Sequence, residues 1–341
     1  MGEGPERPPW YARFGGITGS ESATQSISEQ GIPVPPGGNF QGRKPRGRVD
    51  RDDLAGHLEE RWSEESRCDR RAEVASVDWL TRTGTLRLGF EVTDDRPFKF
   101  VPGNFVRVEL HVPDRGYRRG TYCIASAPSE YRRFDLLVRV VKGGRMSAHL
   151  ASLGLGDEIM FRGPTGRSMV KAAGDGAVAL VATGVGIAPF LSLSTVLLRS
   201  DPGRAIDLYW GLRQPDDICL TGELDRLTAA HPSFRYHVSL SEPPPGWAGL
   251  RGRLTSSLPP LLPALADRRF LLAGNGAMVE ELTVGLSELG VSREDIYEEP
   301  YFNARHVADP AVVSGFVDAA RAAGFGRTGE AAGEAAGEGE A

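Results

Sequence analysis

The sequence predicts an antiparallel β-barrel followed by an α/β domain with a parallel sheet, the pair flanked by N- and C-terminal tails too polar to fold. Short β-like runs recur between Arg71 and Arg162 at the spacing of a small barrel. From Ala177 to Leu289 strand and helix patterns alternate, the signature of a parallel sheet covered by helices. A glycine turn at Gly184 and Gly186 joins the first strand and first helix of that second half. These features divide the chain into an extension over 1–67, a barrel over 68–171, an α/β domain over 172–302 and a C-terminal extension over 303–341.

The barrel strands are expected at Arg71 to Val77, Thr85 to Val92, Asn104 to Val112, Thr121 to Ser126, Phe134 to Val141 and Glu158 to Arg162, with one helix at Arg145 to Leu153. The second half should hold strands at Ala177 to Val181, Ala205 to Gly211, Phe234 to Leu240 and Arg269 to Ala273. Its helices are expected at Ile187 to Leu198, Gly222 to Ala229 and Ala277 to Leu289, with Leu254 to Leu265 interrupted by Pro259, Pro260 and Pro263. Asp309 to Ala323 reads as an added helix with Val312, Val313, Phe316 and Val317 on its apolar side, expected to pack near the barrel ligand or an adjacent subunit. The stretch from Met1 to about Asp50 is rich in Gly, Pro, Ser and Gln and reads as disordered; Arg51 to Arg67 has the spacing of a short helix. Gly329 to Ala341 repeats Gly-Glu-Ala-Ala and cannot bury a core.

With 341 residues, 40% hydrophobic and 25% charged, the chain is ordinary globular material. A net charge of −5 gives no reason to expect nucleic acid. No apolar run reaches membrane-spanning length and Met1 to Trp10 lacks the regions of a signal peptide, so a cytoplasmic protein without membrane insertion is expected. Cys68, Cys219 and Cys123 lie far apart, so neither a disulfide framework nor a metal site is expected, and no cysteine cluster of the plant-type iron–sulfur spacing is present.

The organising stretch runs from Val181 to Phe190. Glycine at 184 and 186 lets the backbone turn sharply and something approach it, and Pro189 suits the first turn of a helix. The free N–H groups of that helix start make a seat for a pyrophosphate. A plain structural turn would use the same residues.

In the barrel, the stretch Arg118 to Pro128 holds a strand that alternates Tyr122, Ile124 and Ser126 on one face, with basic residues at its start. An aromatic ring there can stack on a flat ligand, or can simply fill a core. Lys142-Gly143-Gly144-Arg145-Met146-Ser147 is a second glycine turn running into a helix, with Ser147 adding a hydroxyl donor. Two anion seats separated by an aromatic strand suit a ligand with two phosphates and a flat ring system, namely FAD.

The combination resembles the ferredoxin-NADP reductase superfamily. Gly120-Thr121-Tyr122-Cys123 is similar to its R-x-Y-[ST], Gly144-Arg145-Met146-Ser147 to its G-x-x-[ST], and Thr183-Gly184-Val185-Gly186-Ile187-Ala188-Pro189 to its nucleotide turn. Phe100 to Asn104 resembles F-x-P-G-Q, Gly163 to Gly166 resembles G-P-x-G, and Ala273-Gly274-Asn275-Gly276-Ala277-Met278 resembles C-G-x-P-x-M.

The resemblance implies hydride transfer between NAD(P)H and FAD, followed by single-electron transfer to a ferredoxin, a flavodoxin or an oxygenase component. It implies that Cys123, Glu299 and Tyr301 stand near the reacting ring. The implied cofactor-binding residues on the flavin side are Arg119, Tyr122, Cys123, Ile124, Ser126, Lys142, Gly144, Arg145, Met146 and Ser147. On the nucleotide side they are Thr183, Gly184, Gly186, Ile187, Ala188, Pro189, Gly211, Arg213, Ser241, Arg251, Arg253, Gly274, Asn275 and Met278. Glu242 after Ser241 would repel a 2′-phosphate and favour NADH, whereas Arg251 or Arg253 could reach such a phosphate.

Two positions depart from the family pattern. Gly120 stands where an arginine should bind the pyrophosphate, so Arg118 or Arg119 must substitute; Arg119 returns to the correct face only if a bulge precedes Thr121, and otherwise FAD is held less tightly or FMN replaces it. Ala273 replaces a cysteine. These departures support the reading of a non-catalytic docking subunit of a larger redox complex, and a free flavin or quinone reductase is a further alternative. From His111 to Lys171 there are eleven Lys or Arg against five Asp or Glu, a basic face suited to an acidic electron carrier.

Overall fold

A computed structural model describes residues 68–112, 116–129, 132–265, 267–302 and 306–325. The expectations for the first 67 residues and for the acidic tail from Gly329 lie outside the described residues.

Six strands form the first sheet: β1 (Arg70–Trp79), β2 (Thr85–Val92), β3 (Phe105–Val112), β4 (Gly116–Cys123), β5 (Arg133–Arg139) and β6 (Glu158–Thr165). Their order is β4-β3-β6-β1-β2-β5, every pair antiparallel. A bridge between Ile124 and Leu136, with the Ala125 amide donating to the Asp135 carbonyl, joins the two edges into a barrel. Period-2 alternation drives the assembly: Ala72 and Val74 of β1 and Leu86, Leu88 and Phe90 of β2 face one core. Phe90, Phe98, Phe134 and Phe161 fill its centre, with ring centroids 5.2 Å apart for Phe90 and Phe134. Helix α1 (Arg145–Ser152) closes one end by burying Leu150 and Ala151.

Two quoted motifs dock on each other. Asn104 accepts from the Val101 amide (3.0 Å) and donates to the Gly166 carbonyl (3.1 Å). A Cβ at Gly103, whose φ is +94°, would meet the Arg167 carbonyl oxygen at 2.7 Å, so glycine is required there. The chain then passes through a short helix, α2 (Met169–Ala173), into the second sheet.

That sheet holds β7 (Val178–Thr183), β8 (Ile206–Leu212), β9 (Phe234–Leu240), β10 (Leu250–Arg251), β11 (Arg269–Asn275) and β12 (Ile296–Phe302). The order is β10-β9-β8-β7-β11-β12, all parallel. A 3-10 turn over Gly184–Ile187 leads into α3 (Ala188–Ser200). The remaining helices are α4 (Thr221–Ala230), α5 (Leu254–Ser257), α6 (Gly276–Glu288) and α7 (Pro310–Ala322). Alternate residues of β7 supply two cores. Val178, Leu180 and Ala182 face α3 together with Ala125 and Leu137 of the barrel, whereas Ala179 and Val181 face α5, α6 and α7.

Several elements differ from expectation. The prolines at 259, 260 and 263 convert most of the predicted helix into a 3-10 stretch over Pro259–Leu265. Strand β12 carries Glu298-Glu299-Pro300 and so lacks an apolar alternation, but its edge position tolerates a proline. Strand β4 begins five residues before its predicted start, because an edge strand can be arginine-rich. Helix α7 packs against α6 and α5 on the sheet face opposite the barrel, which removes the first of its two expected places, the one near the barrel ligand. No described helix is long and apolar enough to cross a membrane.

Candidate functional site

Strand β4 carries the aromatic motif. Its pairing with β3 runs from Val112–Gly116 to Phe105–Cys123 without a break. Gly120 and Tyr122 therefore share the face of Val108 and Val106, while Arg119 and Cys123 share the other. No bulge returns Arg119 to the Tyr122 face. Instead its Nε donates to Glu109 Oε2 at 2.8 Å, so the expectation for Arg119 is corrected: it is committed to a carboxylate on the neighbouring strand. Arg118, exposed and two residues before Gly120, is the guanidinium on the Tyr122 side. Gly120 has no room for a side chain, since a Cβ would lie 2.6 Å from Met146 Cγ and 2.9 Å from the Tyr122 ring. Tyr122 is partly buried and its hydroxyl is pushed up to about 12 by burial. Ile124 is buried in the barrel core, and Ser126 accepts from the Asp135 amide at 3.0 Å, closing the barrel.

The second glycine turn enters α1 with Gly144 as N-cap and no side-chain cap. Ser147 differs from expectation. Its hydroxyl donates to the Gly144 carbonyl (3.0 Å) and accepts from the Val141 amide (3.2 Å), so it shapes the turn. The anion seat consists of backbone N–H groups at the start of the helix, beside exposed Lys142 and Arg145. A Cβ on Gly143 (φ +77°) would meet nothing within 4 Å, so the turn opens outward.

At the organising turn, Gly184 has φ +54° and an added Cβ would also meet nothing within 4 Å. Its carbonyl is pinned by Trp210 Nε1 at 2.8 Å. Thr183 Oγ1 accepts from the Asn275 amide at 2.8 Å, linking the C-terminal ends of β7 and β11, and Asn275 Oδ1 in turn caps α6 through the Ala277 amide. Ile187, Ala188 and Pro189 are buried behind the turn.

A cleft of about 650 Å³ opens at these strand ends. Thr183, Gly184, Ile187, Gly211, Arg213, Ser241, Arg253, Asn275 and Met278 line it. Thr85, Leu137 and Arg139 of the barrel line it too, so both domains bound one space. Gly274 is buried beneath it against Thr183. The structure separates the two candidate arginines: Arg253 lines the cleft and makes no ion pair among the described residues, whereas Arg251 donates to the Pro244 and Trp247 carbonyls. Glu242 accepts from Arg213 Nε at 2.9 Å, so the carboxylate at the mouth is neutralised.

The barrel and β12 meet at the residues implied to be catalytic. The Tyr301 hydroxyl is buried beside the Cys123 thiol, a weak hydrogen-bond partner. The thiol is pushed up to about 12, chiefly by burial, and is neutral. Glu299 accepts from Tyr297 Oη at 3.0 Å; burial raises its carboxyl against the lowering effects of that bond and of Arg167. Arg167, at the end of the G-P-x-G segment, lies 4.9 Å from the Tyr297 ring centroid.

These features fit a flavin and a nicotinamide nucleotide. The buried Tyr301 hydroxyl has only the weak thiol of Cys123 beside it and would gain from pairing with a bound group. The two outward-opening glycine turns admit phosphates to bare backbone. Among the described residues no group of His, Cys, Asp or Glu is placed to hold a metal. Sequence reasoning missed Thr85, Leu137, Arg139, Trp210, Asp217 and Cys219, all lining the cleft. Their partners lie on other elements and leave no local signature.

Comparisons agree with this geometry. The family model described as an oxidoreductase FAD-binding domain matches residues 76–169, and that of an oxidoreductase NAD-binding domain matches residues 180–283. Ferredoxin--NADP reductase B of Sorangium cellulosum is 33% identical over 223 residues, covering 63% of this chain and 90% of that protein. NADH-cytochrome b5 reductase 1 of Neosartorya fischeri is 33% identical over 181 residues; the match spans 51% of this chain and only 59% of that relative. Among solved structures, the Amycolatopsis cytochrome P450 reductase GcoB superposes with a TM-score of 0.61 at 27% identity, over 69% of this chain and 70% of that one.

Proposed function

Because this chain belongs to the ferredoxin-NADP reductase superfamily, we propose that it is the reductase that supplies a separate, acidic electron-carrier protein or oxygenase component. Electrons pass from NAD(P)H by way of FAD. Bound FAD supplies the chemistry, taking a hydride and releasing electrons singly. The observation that carries the reading is the single cleft bounded by Thr85, Leu137 and Arg139 from the barrel and by Thr183, Gly184 and Asn275 from the parallel sheet.

The chain's own residues bind, orient and shield. The N–H groups at the start of α1 and the Arg118 guanidinium hold the flavin phosphates, and the Tyr122 ring supports its flat part. Gly184 to Ala188 seat the nicotinamide nucleotide's phosphates. Cys123, Glu299 and Tyr301 make a dry edge, with neutral thiol and phenol groups, against the reacting ring. Arg213, Glu242 and Arg253 stand at the mouth and set the preference between NADH and NADPH.

Charge supports the choice of partner. Of the barrel's cations, Arg119, Arg132, Arg133 and Arg139 are ion-paired. Arg118, Lys142, Arg145, Arg162 and Lys171 are exposed and make no ion pair among the described residues. Arg162 and Lys171 stay clear of the flavin phosphates that Arg118, Lys142 and Arg145 would meet, and unpaired surface cations of this kind steer an acidic protein with an effect that salt screens. Three relatives are named for three protein acceptors or systems, a ferredoxin, a cytochrome b5 and a cytochrome P450. The test mixes the pre-reduced protein with a ferredoxin, a flavodoxin and a free quinone at low and high salt. Protein acceptors reduced faster, with a rate that falls as salt rises, support the reading. Efficient reduction of the quinone alone would replace it with a quinone reductase.

A further inference from the structure

We propose that Asp217 is a positioning residue that clasps the barrel to the nucleotide domain at the head of the cleft and thereby sets the nicotinamide-to-flavin geometry; this rests on the reductase reading above. Asp217 lies in the 3-10 turn Pro215–Asp217 after β8, and its side chain is 9% exposed. Its Oδ1 accepts from Thr83 Oγ1 at 2.7 Å and from Arg139 Nη1 at 3.0 Å, both on the barrel. Its Oδ2 accepts from the Gln214 amide at 3.3 Å, which fixes the carboxylate to its own turn. Arg139 Nη1 also donates to Thr83 Oγ1 at 2.9 Å and to Thr85 Oγ1 at 3.1 Å.

The pair is placed where separation of the domains matters most. Thr85, Arg139 and Asp217 all line the cleft that Gly184 and Asn275 bound from the other side. A second bridge, Arg87 to Glu223 at 2.6 Å, joins β2 to α4 beside it. Burying a carboxylate and a guanidinium is costly, and apolar packing could join two domains as well. What an ionic cluster with several directed hydrogen bonds adds is one orientation rather than many. Reacting atoms must be held within a narrow range, so a small relative movement of the domains slows transfer even when each cofactor is still bound.

The test uses the flavin-loaded full chain with Asp217→Asn, Arg139→Gln, the double variant and the milder Thr83→Val. Three quantities are read: hydrogen exchange over 81–85 and 214–219, nucleotide affinity by calorimetry, and the single-turnover rate of flavin reduction. Each single substitution should raise exchange on both sides and slow reduction by about tenfold to a hundredfold. Nucleotide affinity should change less than about threefold, and the double variant should be no slower than the worse single, as expected of residues that act as a unit. An unchanged reduction rate, or effects that multiply in the double variant, would overturn the proposal. So would weakened nucleotide binding with unchanged exchange, which would make Arg139 a ligand contact instead. Should Asp217→Asn fail to fold, Thr83→Val must show the same pattern at smaller size, and its absence counts against the clasp. If the unaltered protein is not reduced by either nucleotide, the reductase reading fails, while the exchange measurement still decides whether the clasp exists.

Discussion

Gly186 lies against the backbone of Ala273: a Cβ at 186 would stand 2.5 Å from the Ala273 carbonyl oxygen and 2.7 Å from Gly274 Cα. The 3-10 turn leading into α3 and the end of β11 thus approach as closely as backbone allows. Neither contact is with a flexible side chain, so neither can yield easily. Gly186→Ala should destabilise the protein by about 1–3 kcal/mol through overpacking. It should also displace the Gly184 turn and weaken nucleotide binding. Thermal unfolding with nucleotide titration checks both, and a variant with wild-type stability and affinity contradicts the packing.

Under the proposed function, coenzyme preference is set at the mouth of the cleft, where Glu242 pairs with Arg213 and Arg253 remains without an ion pair among the described residues. Glu242→Gln releases Arg213 and should shift the kcat/KM ratio toward NADPH by about twofold to fivefold, the range an exposed pair worth up to about 1 kcal/mol allows. Arg253→Ala should shift the ratio the other way. Steady-state kinetics with both nucleotides reads the two shifts; a ratio unmoved by either change places the 2′-position elsewhere.

The cysteines should react in an order set by burial. Cys219 is half-buried in the wall of the cleft, with its thiol pushed up to about 11, whereas Cys123 is buried. An uncharged alkylating reagent should label Cys219 before Cys123 and Cys68, and bound nucleotide should slow that labelling. Peptide mapping over time shows the order, and equal protection of all three would contradict it. The buried Cys123 thiol also fixes a sign with pH. Burial favours its neutral form in the fold, so its contribution is complete below the ordinary thiol value of 9.0 and is lost as pH climbs toward about 12. Cys123→Ala should flatten that alkaline loss.

Helix α7 occupies the far face of the parallel sheet, where Phe316 fits against Gly285 of α6 and Val313, Val317 and Ala320 are buried. Phe316→Ala should cost about 3–5 kcal/mol by opening a cavity. Because the barrel lies on the other face, the fraction of folded protein carrying flavin should stay unchanged. Denaturant unfolding and the flavin-to-protein ratio measure these separately, and loss of flavin without loss of stability would place the helix wrongly.

Much of this architecture was legible because its strands obey simple periods. Phe234–Leu240 is an expected strand, and the period-2 run Thr85–Val92 was readable to the residue. The two glycine turns could be found because their chemistry is local. What escaped was chemistry made by distance in the chain. Arg139 and Asp217 meet across 78 residues, and Thr83 joins them from a third element. The fate of Arg119 turned on whether β4 bulged, and that was decided by its pairing with β3 and by Glu109. Ser147 looked like a donor because a hydroxyl was expected there, but its own turn provides both of its partners.

The account stands on a nicotinamide reaching a flavin through the cleft that Thr85, Leu137 and Arg139 share with Gly184 and Asn275. Anaerobic rapid mixing of the flavin-loaded protein with NADH, and separately with NADPH, tests this most directly through the visible flavin absorbance. Saturable bleaching by at least one nucleotide, slowed severalfold when Gly184 is replaced by valine, is the predicted result. A flavin that keeps its colour with both nucleotides, or bleaching indifferent to Gly184→Val, would contradict it.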